Sequence, residues 1–201
     1  VGGILLDVNS PGGQASGAFE LADTIREIRK VKPVWAVANA HAFSAAYAIA
    51  ASADRLFVLP HSGGVGSIGV IMWHVDESAA NEKRGVVPTP IFAGSHKIDN
   101  SPHAPLSDDA RSENQAEVDR LFDVFVETVA KGRGITAEAV RGTQARLYFG
   151  GSGVRIGLAD ALGTLDDALA EMVAAHGTGA APAAPSDTSP TATRFTMNDD
   201  T

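Results

Sequence analysis

The chain has 201 residues, 44% hydrophobic and 20% charged, with 16 Lys and Arg against 24 Asp and Glu for a net charge of −8. This length and apolar content suit one globular domain and exclude collagen or a wholly disordered chain. The acidic balance argues against nucleic acid as a partner; the lack of Cys removes disulfides, thiolate metal sites and cysteine nucleophiles; and no apolar run reaches the roughly 18–20 residues of a membrane span.

Residues 3–8 (GILLDV) read as a buried strand, and Ser10-Pro11-Gly12-Gly13 breaks it with turn chemistry. From 17 to 30, Ala18, Leu21, Ala22, Ile25 and Ile28 recur at helical spacing until Pro33 stops the helix. Residues 34–37 form a second strand. The Ala-rich stretch 43–53 reads as a tightly packed buried helix, since Ala has high helix propensity and permits close approach. A third strand covers 55–59, a Gly-rich loop 63–69 and a further strand 70–73. Asp76 is placed to cap a helix reaching Arg84, and 86–92, with Pro88 and Pro90, reads as an edge strand. After a polar loop over 93–105, Ser107 caps a long amphipathic helix to Lys131, with Leu121, Phe122, Val124, Phe125 and Val129 facing inward. Thr136 caps a short helix through Val140, and 165–175 form a last helix. Strands alternating with helices predict an α/β fold with a largely parallel core.

From 177 to 201 the chain turns to Ala, Pro, Ser and Thr, with Phe195 its one aromatic residue. Such a segment buries too little apolar surface to offset its ordering entropy. The division expected is therefore a folded domain over 1–176 and a disordered tail over 177–201. The chain opens at Val1, not Met, inside an apolar run, which points to a truncated N-terminus and a lost upstream anchor.

Four motifs bear on chemistry, and each alone has an ordinary structural explanation. Asn9-Ser10-Pro11-Gly12-Gly13 suits an oxyanion hole, because glycines aim backbone N–H groups at a ligand, but it also suits a plain turn. Ser44, in Ala42-Phe43-Ser44-Ala45-Ala46, is either a nucleophile at a helix start or its N-cap. Gly64-Val65-Gly66-Ser67-Ile68-Gly69 matches the dinucleotide fingerprint, yet the strand expected after it replaces the helix that fingerprint requires. Lys97 lies in a polar loop beside His96, where most lysines are simply solvated; a lysine is a base only when burial keeps it neutral. The histidines lack ligand partners at helical spacing, so no metal is expected.

Taken in order, Asn9 to Gly13, Ala40 to Asp54, Gly66 to Val70 and Gly94 to Asp99 resemble the signal peptide peptidase A (SppA) family of serine peptidases. Tyr148, Gly157-Leu158-Ala159-Asp160 and Gly163-Thr164-Leu165-Asp166-Asp167-Ala168 extend the likeness to Met172. The resemblance implies a ClpP/crotonase-like fold of stacked ββα units and a Ser–Lys dyad without cofactor. By the same resemblance Ser44 is the nucleophile, Lys97 the general base and Ser67 the hydroxyl that orients it, while Gly12 and Gly13 form the oxyanion hole. The family's two glycines after the serine are here Ala45 and Ala46. That change and the Gly94–Pro102 stretch (GSHKIDNSP) look like the phage and prophage branch, which resembles capsid assembly proteases. The implied role is a serine endopeptidase that cleaves phage head or scaffold proteins during capsid maturation. A cellular signal peptide peptidase and a catalytically silent fragment with a scaffold role are the alternatives. The implied partners are a peptide or protein substrate, phage scaffold or capsid proteins and further copies of the chain in a homo-oligomer; the location is the prohead and host cytoplasm for a phage enzyme, or a membrane for a cellular one. A ClpP-like Ser–His–Asp site is disfavoured, because its histidine falls at Gly69; a crotonase-type acyl-CoA enzyme would need no Ser44.

Overall fold

The computed structural model describes residues 2–177. The expected tail over 177–201 therefore lies almost wholly outside the described residues. Apolar runs without polar alternation make strands that are covered on both faces. β2 (Val34–Phe43) and β3 (Arg55–Val58) are such runs, while β1 (Ile4–Ser10) is half-buried with Asp7 and Asn9 exposed; the three pair in parallel, with Leu6 opposite Ala36 and Val37 opposite Phe57. α1 (Ala18–Ile28) makes the crossover between β1 and β2, and α2 (Ala45–Ala50) that between β2 and β3.

β2 is the organising strand. β1 holds one edge along its length, while β3 and then β4 (Gly64–Gly66) share the other. α3 (Ser78–Arg84), a 3-10 turn (Ser95–Ile98), α4 (Asp108–Arg133) and α5 (Ala137–Gly142) follow. β5 (Leu147–Phe149) pairs antiparallel with β4, and after α6 (Gly151–Arg155) the short β6 (Ala161–Leu162) pairs parallel with β3. α7 (Leu165–His176) closes the described chain. The largely parallel α/β sheet is as expected.

Successive residues of β2 point to opposite faces. Val34, Ala36 and Ala38 join Ile25, Tyr47, Phe125 and Val129 beneath α1, α2 and α4. Trp35 and Val37 join Phe57, Ala168 and Met172 beneath α7. Tyr47, wholly buried, donates its hydroxyl to the Leu158 carbonyl at 2.8 Å, and burial pushes its pKa well above the ordinary value. Arg133, only 5% exposed, donates to both carboxylate oxygens of Asp160, which also accepts from the Leu56 N–H. Burial opposes both charges, yet the pairing leaves the Asp160 pKa lowered and that of Arg133 raised.

Several sequence expectations are corrected. Residues 70–73 and 86–92 are not strands: they run as irregular chain, with Ile71, Trp73, Val87 and Ile91 exposed. Their β-branched and aromatic content suits a strand only where a neighbouring strand is available to complete the ladder. The second strand continues to Phe43, so the Ala-rich helix begins at Ala45. The glycine-rich loop contributes β4, because Gly64 leaves room for the Phe43 ring and Gly66, at φ 113°, lies against the Arg146 carbonyl. Asp76 accepts from the Ser78 N–H, two residues ahead of the helix that starts at Ser78. Ser107 and Thr136 cap α4 and α5 as expected.

Candidate active site

The site begins with an irregularity in the central strand. Val8 pairs with Ala38 but Ser10 pairs with Ala42, so two residues of β1 advance against four of β2. Ala40 takes up the excess at φ 99°, a conformation that an alanine adopts only under strain. Beyond this bulge β2 turns sharply into α2, and Ser44 occupies the elbow.

Ser44 has φ 52° and ψ −128°. Its N–H donates to the Gly66 carbonyl at 2.9 Å, while its own carbonyl accepts the first helical N–H groups, from Tyr47 and Ala48. One residue thus ends a strand, starts a helix and is tied to β4. Strained positions of this kind mark functional sites more often than neutral ones. Gly12 lies directly against it. A Cβ on Gly12, whose φ is 101°, would fall 2.5 Å from the Ser44 Cβ and 2.9 Å from the Phe43 carbonyl oxygen.

Ser44 opens into a cleft of about 220 Å³. Gly13 and Ala45 form its rim, Phe19 and Phe125 its apolar floor, and Val118 and Leu121 of α4 its wall. A wider groove of about 720 Å³ follows β1 and the Gly12–Gly13 loop, and meets the cleft at Gly13, Gln14 and Ala45. Ser67 follows the Gly66 carbonyl that holds Ser44; its φ is 56° and its N–H donates to the Arg146 carbonyl. Ser44, Gly12, Gly13 and Ser67, far apart in sequence, are therefore gathered around one elbow.

Lys97 is placed otherwise. It is exposed in the 3-10 turn, makes no side-chain hydrogen bond or ion pair among the described residues, and does not line the Ser44 cleft. Its neighbour His96 is paired with Asp99 at 2.8 Å; that hydrogen bond, then the Glu113 charge, raises the His96 pKa. His96, Asp99 and Glu113 bring three donor atoms within 4.8 Å, but a hydrogen-bonded ion pair accounts for the grouping without a metal. His41 stacks on Phe43 at 4.9 Å as a packing residue.

The sequence reading missed part of the cleft. Val118 lies three and seven residues before Leu121 and Phe125, a helical stripe that was the available signal. Beside the cleft, Gln144 and Ala145, both at positive φ, and the Arg146 carbonyl that holds Ser67 had no sequence signal.

A serine held at a strained strand-to-helix elbow, beside a glycine loop and lining a largely apolar cleft, marks the candidate site of this α/β protein. The chain belongs to peptidase family S49, whose model matches residues 26–178. It is 42% identical over 172 residues to capsid assembly protease C of Escherichia phage lambda, which covers 86% of this chain and 39% of the relative. It is also 42% identical over 175 residues to the head-tail preconnector protein GP5 of Enterobacteria phage P21, covering 87% and 35%. A putative signal peptide peptidase SppA of Enterococcus faecium is 36% identical over 174 residues, covering 84% and 49%. The chain thus spans between about a third and a half of the length of these relatives.

Proposed function

We propose that the chain carries the peptidase domain of a serine endopeptidase that cleaves phage head or scaffold proteins during capsid maturation. The higher identity to the two phage proteins, set against the SppA relative, favours this over a cellular signal peptide peptidase. We assign the domain to 1–176, with 177–201 as a tail, and read its fold as ClpP/crotonase-like. The observation that carries the reading is the strained Ser44 elbow, which lines a largely apolar cleft.

In this reading Lys97 takes the Ser44 proton as the Oγ attacks a peptide carbonyl. The developing oxyanion accepts hydrogen bonds from backbone N–H groups of the Gly12–Gly13 loop, and the departing amine takes up the proton. Water then hydrolyses the acyl-enzyme and frees Ser44. Ser67 orients the base. The Phe19, Val118, Leu121 and Phe125 lining suits an aliphatic side chain next to the scissile bond.

Lys97 is exposed, and burial favours the neutral form that a lysine base needs, so this reading requires that a further copy of the chain complete the site. The chain leading to the Lys97 turn also exposes Trp73, Val75, Val87, Ile91 and Phe92, an apolar surface of the kind that a second copy covers. The test is intact-mass detection of fluorophosphonate labelling alongside light scattering. One adduct on Ser44, formed by the oligomer and lost in Lys97→Ala, is the expected result. An oligomer that takes no adduct would favour a silent scaffold domain instead.

A further inference from the structure

Resting on the reading of Lys97 as the base, we propose that Asn100 and Asn114 are positioning residues that clasp the Lys97 turn to the helix walling the nucleophile cleft.

The first half of α4 is exposed except along one stripe. Ala110, Asn114 and Val118, each a turn apart, are the residues withdrawn from solvent, and the stripe continues through Leu121 to Phe125. Val118, Leu121 and Phe125 line the Ser44 cleft. Asn114 is therefore a polar residue set into an otherwise apolar inward face. An amide there needs partners, because a half-buried polar group left unpaired costs stability.

Asn100 supplies them. Asn114 donates its Nδ2 to the Asn100 Oδ1 at 2.7 Å, and Asn100 returns the bond at 3.4 Å. A reciprocal amide pair fixes both distance and orientation, which one bond does not. Asn100 stands two residues after the turn Ser95–Ile98 that bears Lys97. A second link runs in parallel, from His96, bonded to Asp99, towards Glu113 at 3.9 Å. Within the turn Ile98 is half-buried and the other residues are exposed, and these polar links tie it to α4.

At 1.5 Å per residue, the clasp sits about 6 Å along the axis from Val118 and about 10 Å from Leu121. A single rigid helix thus ties the height of the Lys97 turn to the wall of the cleft. This holds whether Lys97 serves the cleft of its own chain or that of a neighbouring copy, because in both cases the turn is registered against α4.

The experiment uses the full chain in its assembled state. Wild type, Asn114→Ala, Asn100→Ala, the double variant, Asn114→Asp, Lys97→Ala and the control Gln115→Ala are compared. Gln115 is the next residue on α4 and bonds only Asp119 on the solvent side. The readouts are the fluorophosphonate labelling rate of Ser44 from pH 6 to 10, hydrogen exchange over 95–101, and the melting temperature. Small displacements of a catalytic group cost up to about 100-fold in rate. Each single alanine variant is expected to label about 10–100-fold more slowly, with an altered pH profile of labelling. The double variant should be no slower than the singles, because the two residues act as one unit. Asn114→Asp, which keeps the acceptor, should lie between. Exchange over 95–101 should quicken while melting changes little, and Gln115→Ala should match wild type.

Unchanged exchange in Asn114→Ala would overturn the clasp, and so would faster exchange with unaltered labelling rate and pH profile. Loss of labelling in Lys97→Ala alongside either result would leave the dyad standing while the clasp falls. Wild-type labelling in Lys97→Ala would instead refute the base itself.

Discussion

Gly12→Ala tests the elbow most directly. At φ 101° an alanine pays roughly 1–3 kcal/mol in backbone strain. Its methyl would also sit 2.5 Å from the Ser44 Cβ and 2.9 Å from the Phe43 carbonyl oxygen. Neither atom is the free end of a flexible side chain, so the loop or the nucleophile must move. For a domain of this size about 2 kcal/mol corresponds to a drop of roughly 4–8 °C in melting temperature. Displacing one oxyanion donor costs a further 10²–10³ or so in rate. The assay is the initial rate of fluorophosphonate adduct formation on Ser44, with a thermal melt on the same sample. Gly13→Ala is the matched control: its added methyl meets no atom within 4 Å and its φ is not positive, so the fold should melt within about 1 °C of wild type. Gly12→Ala labelling at the wild-type rate would refute the placement of this loop against the nucleophile.

Tyr47→Phe should cost about 1–2 kcal/mol in urea unfolding, because the buried Leu158 carbonyl loses its 2.8 Å donor. Arg133→Met should cost about 2 kcal/mol, less than a wholly buried pair, since the Asp160 side chain stays 36% exposed. The Asp160 pKa is lowered in the folded state, so its contribution is complete at neutral pH and is lost as pH falls below about 4. Melting temperature followed from pH 7 to pH 3 should therefore fall less steeply in Arg133→Met than in wild type. Ala40→Gly should stabilise the chain by up to about 1 kcal/mol, because relief of the positive φ outweighs the glycine entropy cost; a lower denaturation midpoint would show that the bulge is not strained.

The sequence by itself determined the elements whose signals are local. Apolar periodicity and caps from Ser107 and Thr136 marked α4 and α5, and the apolar runs marked β1, β2 and β3 as strands. The ordered motifs also singled out Ser44, Ser67 and the Gly12–Gly13 loop, through their resemblance to the SppA family. Pairing over long sequence separation was not legible in the same way. β5 and β6 span three and two residues and exist only because β4 and β3 offer edges. Residues 70–73 and 86–92, with stronger strand composition, found no such edge. Only the tertiary structure could decide where Lys97 lies, since the reach of a lysine depends on what its turn docks against. In the fold that turn lies largely exposed, linked to α4 through the Asn100–Asn114 pair.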